Sequence, residues 1–495
     1  MRSNFRNIGL IGMGTVAGVL ISLGIGAFAQ RESAKDARNP LPLEELRQLS
    51  DVFGLIKQSY VEPVEDKKLI SDAINGMVSK LDPHSAYLDE KGYKELKSTI
   101  RGKFGGLGIE VTMENEVIKV VSPIEGTPAF KAGIRAGDFI VKIDGAPVRG
   151  MSLIQAVDKM RGDPGTKVKL HVDRKGEAKS LEFDLVRDEI RIQSVRSKEI
   201  EPGYGYIRIT QFTEPTTADL AREIGKLYKD GPLKGLVLDM RYNPGGVLQG
   251  AVGVSAAFLP KDVLVVSSKG QLAEARTQNF ARYEDYRTRS DGNRLFSPDP
   301  LRVLPPEIKK VPLVVLVNSG SASASEIVAG ALQDHERAKI LGTPSFGKGS
   351  VQQIIPLDEN DKAAIKLTIS RYYTPKDRSI QAKGITPDFY VEETADGDLF
   401  KNQLREVDLE GHLSNDKVAE DKKNEEEKYE RNPKRTKPIE FGTAEDYQLQ
   451  QALNYLKGQP VKISQPDSTT AEKKAEPKAD AKPEAKAEPK ATPKK

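Results

Sequence analysis

A series of short, unbroken apolar runs between residues 195 and 391 constrains the fold of this chain more than any other feature. The run at 312–317, PLVVLV, is of the kind a fully buried strand shows. Further strands are predicted at 205–209, 235–240, 263–267, 339–341 and 364–369, with helices at 217–228 and 325–333 alternating among them. That alternation predicts an α/β core over 195–391. The polar, arginine-rich segment 270–307 is long for a connection inside a compact domain, and both a lid or flexible insertion and a plain loop fit it.

Directly after PLVVLV come Asn318-Ser319-Gly320-Ser321-Ala322-Ser323-Ala324-Ser325-Glu326. Ile327, Val328, Ala331 and Leu332 then recur at helical spacing. The serines therefore fall on a sharp strand-to-helix turn, where outward backbone N–H groups favour negative charge. Acyl transfer needs that setting beside a nucleophilic serine, and the serine needs a base. Histidine is a poor candidate. His335 lies at the far end of the same predicted helix, roughly 18 Å away at the helical rise, and His84 reads as a turn or helix-end residue. Lys348, in Gly347-Lys348-Gly349, is the alternative, since burial can make a lysine neutral enough to accept a proton. The residues alone do not choose among Ser321, Ser323 and Ser325.

Two other motifs overlap Lys348. The stretch from Gly342 to Gly349 nearly spells a phosphate-binding loop, but Gly349 stands where a magnesium-binding hydroxyl is required. Ser345-Phe346-Gly347-Lys348 spells S-x-x-K, the signature of a penicillin-interacting hydrolase. That chemistry wants a helix, which the flanking glycines and the strand-like 351–355 oppose.

Upstream, 98–188 changes character. Strands are predicted at 117–121, 139–143, 168–172 and 180–186, with helices after Thr127 and at 153–160. This section resembles a PDZ domain, in which a peptide adds a strand to an open sheet edge and glycine-loop amides hold its carboxylate. The resemblance places the carboxylate loop at Gly106, Leu107, Gly108 and Ile109. The plainer alternative is a small β-barrel whose glycines only turn the chain.

The termini differ from both domains. Arg2 and Arg6 precede an apolar stretch from Ile8 to Ala29 that ends Ala27-Phe28-Ala29-Gln30. This predicts a signal peptide or uncleaved membrane anchor over 1–29, and a body outside the cytoplasm. The expected location is the cell envelope, periplasmic or on the extracytoplasmic face of the inner membrane, with the membrane touched only through that segment. Residues 43–97 read as a helical region, with apolar stripes through Leu46, Leu49, Phe53 and Ile56 and then through Leu69, Ile70, Ala73 and Met77. A packed helical hairpin is expected there. Residues 392–463 combine a charge-dense linker at 417–437 with a helical stripe at 443–457, and the Ala/Lys/Pro/Glu-rich 464–495 predicts a disordered tail. Basic and acidic residues nearly balance, 76 against 72, which argues against a nucleic-acid partner. With no cysteine and no HExxH among four histidines, no metal is expected, and nothing implies an organic cofactor.

Five ordered motifs carry a family resemblance. They are LDPHSAYL at Leu81–Leu88, LDMRYNPGG at Leu238–Gly246, GSASASEIVAGALQD from Gly320, GTPSFGKGSVQ from Gly342, and Gly384-Ile385-Thr386-Pro387-Asp388. Together they resemble the tail-specific, carboxy-terminal processing peptidases, a family of serine proteases with a PDZ domain. The likeness implies a multidomain α/β protein: an N-terminal helical segment, a PDZ domain, and a serine-protease core of crotonase-like type. By that likeness Ser323 is the nucleophile, Lys348 its base, and Gln352 the residue that orients the lysine amine. The Ala324 amide, with that of Gly245 or Gly246, would form the oxyanion hole. Asn243 and Asp239 then shape the turn, and Arg161 would relay peptide occupancy or serve as a plain surface arginine. The resemblance implies protein substrates with accessible apolar carboxy termini. It raises a homodimer and an adaptor or activating partner, and a PDZ scaffold with a silent protease fold remains the alternative.

Overall fold

The computed structural model describes residues 41–464, apart from 115, 178, 289–295, 359–361, 399, 402–403, 418–429 and 432–439. The expectations for 1–29, for the tail past Ser464, for part of the 270–307 insertion and for most of the 417–437 linker lie outside those residues. The chain divides into two units, 1–74 and 75–495.

In the first unit, helix α1 (Leu43–Ser59) and the start of α2 (Asp66–Ser79) are separated at the predicted break around Pro63. The Lys57 ammonium closes this turn, donating to the Val64 carbonyl at 2.7 Å and pairing with Asp66 at 2.6 Å. The helices form where the stripes predict them, but the stripe of α1 is only partly covered, with Phe53 and Ile56 half-buried. No residue of α1 is buried, and Leu46 and Leu49 stand exposed.

The second unit continues with β1 (Ala86–Leu88), α3 (Glu90–Arg101) and β2 (Lys103–Gly106). Helix α3 is set by its ends: Asp89 caps the Gly92 amide, and Gly102 stops the helix in the left-handed region. The PDZ domain follows as β3 (Ile109–Glu114), β4 (Val117–Pro123), α4 (Pro128–Lys131), β5 (Phe139–Ile143), β6 (Ala146–Pro147), α5 (Leu153–Met160), β7 (Lys167–Asp173) and β8 (Leu181–Val186). Its sheet runs β3-β4-β5-β7-β8, with β6 off β5, so β3 is an edge strand. Ile118, Ile140, Leu170 and Val172 are fully buried at its centre. Strand β9 (Asp188–Arg191) pairs back on β2 and closes the domain.

The protease core comprises β10 (Val195–Glu201), β11 (Tyr204–Ile209), α6 (Thr216–Leu227), β12 (Gly235–Asp239), α7 (Leu248–Phe258), β13 (Leu264–Gly270), β14 (Thr277–Phe280), α8 (Tyr283–Tyr286), β15 (Leu313–Val317), α9 (Ala324–Asp334), β16 (Lys339–Gly342), β17 (Ser350–Pro356), β18 (Ala364–Tyr373), β19 (Phe389–Tyr390) and α10 (Tyr447–Leu456). The central sheet is ordered β10-β11-β12-β15-β16-β19 and is parallel from β11 onward. Both of its faces are covered, which is why β12 and β15 read as continuous apolar runs. Leu236, Leu238, Val315 and Val317 join α7 and α9 in one core. Val237, Val314 and Leu316 meet Leu449, Ala452 and Leu453 of α10 on the opposite face. A second sheet orders β1-β18-β13-β14, with β17 also on β18. The described part of the 270–307 segment is ordered structure, with Tyr286 of α8 buried in the core.

Candidate active site

The ends of β12 and β15 lie side by side, and the loops that leave them are stitched together. Ser321 Oγ accepts from the Asn318 amide at 2.9 Å and donates to the Met240 carbonyl at 2.8 Å. Ser325 Oγ donates to the Asn243 carbonyl at 2.9 Å, which also accepts from the Ala322 amide. Both hydroxyls are buried and engaged in holding turns. Ser325 is not a helix cap; Ser323 occupies that position, at φ 53°, ψ −111°. A non-glycine residue held there is strained, as is the serine on the sharp strand-to-helix turn of α/β-hydrolases.

The close fit around Ser323 explains the glycines of LDMRYNPGG. A Cβ on Gly245 would stand 2.8 Å from Ser323 Cβ and 2.9 Å from the Ala324 nitrogen, and one on Gly246 would stand 2.0 Å from the Phe212 carbonyl oxygen. The two amides differ. Gly245 donates to Asn243 Oδ1 at 2.9 Å, whereas the amides of Gly246 and Ala324 have no acceptor among the described residues.

Lys348 lies in the loop before β17, and that segment is not helical. Ser345 Oγ is fully buried, donating to Glu326 at 2.6 Å and accepting from the Ile385 amide. Ser323, Lys348, Gln352, Gly245 and Gly246 line one open cavity, whose wall also includes Ile100, Ile354 and Arg287. Burial, and then the charge of nearby Lys366, bring the Lys348 ammonium down to about 8, against the pull of Glu406, Glu326 and Asp82. Gln352 makes no hydrogen bond to Lys348 among the described residues. Its amide nitrogen donates to Ser350 Oγ at 2.9 Å and Thr368 Oγ1 at 3.2 Å. No hydrogen bond joins Ser323 to Lys348 in this arrangement.

Sequence reasoning passed over Glu326, which ties the two loops together. Its fully buried Oε2 accepts from the amide of Ser323 at 2.7 Å and from that of Lys348 at 2.9 Å. Oε1 accepts from Ser345 Oγ and the Gly347 amide, both at 2.6 Å. Burial pushes this carboxyl up to about 7 against its donors. Its place three residues past Ser323, as a capping-box acid, is the one signal that could have marked it. Glu326→Gln presents an amide donor to donors already in place. We expect it to lower kcat/KM by about 10²-fold, the scale of an ångström misplacement, and to lower the thermal midpoint; steady-state kinetics and thermal unfolding check both.

A second network lies behind the lysine loop. The Gly349 amide donates to Gln381, whose amide donates to Glu406 Oε1, and Glu406 Oε2 bonds His84 Nε2 at 2.7 Å. His84 is thus a structural residue of LDPHSAYL, and His335 bonds the Leu264 carbonyl beyond the far end of α9.

In the PDZ domain, Gly106 ends β2, Leu107 and Gly108 form the loop, and Ile109 opens β3. Gly108 adopts φ +74°, and a Cβ there would stand 2.4 Å from Thr127. The Leu107 and Gly108 amides have no acceptor among the described residues. Ile109, Val111 and Met113 of β3, like Leu153 and Val157 of α5, are partly buried and pack against the PDZ core. The Arg161 guanidinium lies over the Phe104 ring at 4.8 Å.

The family description "Peptidase family S41" matches residues 203–391, over the core that holds Ser323 and Lys348. A carboxy-terminal-processing protease of Bartonella bacilliformis is 43% identical over 450 residues, covering 90% of this chain and 95% of that protein. The chain belongs to peptidase family S41. Its S41 core is joined to a PDZ domain, matched over 105–185, and residues 23–92 match the N-terminal domain of the activating protease CtpB. The carboxy-terminal processing protease CtpB of Bacillus subtilis is 35% identical over 393 residues, 77% of this chain and 75% of that one. Among solved structures, a photosystem II D1 C-terminal processing protease is 31% identical at a TM-score of 0.38, covering 67% of this chain and 84% of that one. This S41 serine peptidase is thus a carboxy-terminal processing protease with a PDZ domain.

Proposed function

We propose that this peptidase is exported, captures protein carboxy termini in its PDZ groove, and cleaves nearby peptide bonds with Ser323 and Lys348. The observation that carries this reading is that one carboxylate oxygen of Glu326 holds the amides of both residues on the wall of one cavity. Ser323 Oγ attacks the scissile carbonyl and passes its proton to neutral Lys348 Nζ. The oxyanion faces the open amides of Ala324 and Gly246. Lys348 then protonates the leaving amine, and a water deprotonated by the same lysine releases the acyl group as a new carboxylate. The serine–lysine contact tightens when substrate is seated, as apo sites commonly do.

Capture is supported by the free Leu107 and Gly108 amides beside the open edge of β3, which suits a chain end that brings a carboxylate and apolar side chains. Export to the cell envelope is supported by Arg2, Arg6 and the apolar stretch to Ala29. The exposed part of the α1 stripe suits a homodimer or an activating partner.

Two measurements test the reading on an unstructured protein with an apolar carboxy terminus. Because the base works only when neutral, kcat/KM is expected to rise with pH, falling tenfold per unit below a midpoint near the about 8 of Lys348. Amidating the substrate terminus is expected to raise KM and leave the midpoint in place. A rate flat from pH 6 to 9 would remove Lys348 as base. Equal cleavage of free and amidated termini would remove carboxylate capture.

A further inference from the structure

We propose that Lys366 is a positioning residue of this active site, a second ammonium on the cavity wall whose charge disfavours the proton on Lys348 and so favours the amine form that a base requires. The inference rests on the reading of Lys348 as the base. Lys366 lies on β18 directly across from Ile354 of β17, one repeat along the strand from Thr368, which faces Gln352. Residues two apart on a strand share a face, and Lys366 lines the Ser323 cavity together with Lys348, Gln352 and Ile354.

Its ammonium has no hydrogen-bond or ion-pair partner among the described residues. The nearby acid is already occupied. Asp82 Oδ1 accepts from the His84 amide, the Ser85 amide and Thr368 Oγ1, and Oδ2 accepts from Ser85 Oγ at 2.6 Å. Two lysines thus share one half-buried wall, and neither is bonded to a carboxylate. Like charges in such a place disfavour double protonation, and a neighbouring cation is a known way to activate a lysine.

The charged groups around Lys348 come from several elements. Lys366 on β18 opposes its protonation; Glu326 on α9, Glu406 beyond β19 and Asp82 before β1 favour it. Glu214 and Arg287 also face the cavity, as does Tyr372. Lys366 is itself lowered by burial, with Asp82 pulling it back. Lys366 is the one cation among these that both lines the cavity and opposes the proton on Lys348.

The test is the pH profile of kcat/KM for the full chain with the same substrate, in wild type, Lys366→Met, Lys366→Arg and Lys348→Ala. Lys366→Met is expected to move the rising limb to higher pH by roughly half to one unit. Its rate should return to within about twofold of wild type on the alkaline plateau. Lys366→Arg, which keeps the charge, should titrate with the wild type. A uniform loss in Lys366→Met with the midpoint unmoved would overturn the proposal, and so would an equal displacement in Lys366→Arg. Should Lys366→Met fail to fold by thermal unfolding, Lys366→Gln takes its place with the same criteria. Activity retained by Lys348→Ala would overturn the base reading and this proposal together, whereas an inactive Lys348→Ala with an unmoved Lys366→Met limb would overturn this proposal alone.

Discussion

Ser323→Ala and Lys348→Ala are each expected to lower kcat/KM by about 10⁴–10⁶-fold while binding of a carboxy-terminal peptide stays as in wild type. Alanine keeps the Cβ of Ser323 and so leaves the strained backbone at φ 53° as it is. Only the hydroxyl is lost. The double variant should be no slower than either single one, because residues that act as a unit are not additive. Cleavage of an unstructured protein, followed beside fluorescence anisotropy of a labelled peptide, separates catalysis from capture. Undiminished cleavage by Ser323→Ala would sink the assignment. A wild type that binds the peptide and never cleaves would indicate a scaffold, or an enzyme that needs its partner.

Arg241→Ala is expected to cost about 3–5 kcal/mol of stability, the scale for breaking a buried ion pair. Arg241 and both of its carboxylate partners are fully buried. It donates from Nε and Nη2 to Asp239 at 3.0 and 2.6 Å, and from Nη1 and Nη2 to Asp446 at 2.8 and 2.6 Å, with Gln448 completing the set. Burial works against charge on Arg241, but the two carboxylates hold it well above its ordinary range. Burial likewise opposes the ionised Asp239, yet Arg241 brings it from 3.8 to about 2. The stability from Asp239 is therefore present above pH 3.8 and is lost as the pH falls through about 2. Urea unfolding measures the loss. Arg241→Met combined with Asp446→Leu should cost less than the sum of the two alone, since Asp446 is not left unpaired and Asp239 keeps Arg208 at 2.9 Å. A change below 1 kcal/mol in Arg241→Ala would show that water reaches the cluster.

The parts of the fold readable in the sequence were those that bury a continuous surface. PLVVLV becomes β15, and the stripe after Tyr447 becomes α10, because each element spends its apolar residues on one packing task. Helix α7 was missed for the opposite reason. Its LQGAVGVSAAF is buried almost all round, so it has no polar face to set a helical period. Helix α3 falls largely inside the helical region 43–97 but shows no apolar stripe that sets its bounds, because half of its residues are charged and Asp89 and Gly102 define its ends. At the site, Ser323 and Lys348 were nameable from motif likeness, and their shared cavity lies within the described structure. The bonds of Glu326 to the lysine loop, and of Arg241 to Asp446, join residues far apart in sequence, where neither periodicity nor spacing leaves a trace. The direction in which Gln352 points is likewise a matter of its strand neighbours, Ser350 and Thr368.

Arg241 and Asp446 are 205 residues apart along the chain. During synthesis the guanidinium emerges long before the carboxylate and the helix that cover it. A nascent core that closed early would hold the guanidinium on Asp239 alone and leave the donors that meet Asp446 and Gln448 unsatisfied beneath the very loops that carry Gly245 and Ser323. Helix α10 and its cap Asp446 therefore complete the cluster late, and a chain truncated before them, on the ribosome or in transit, would be weakened at its centre instead of at its edge.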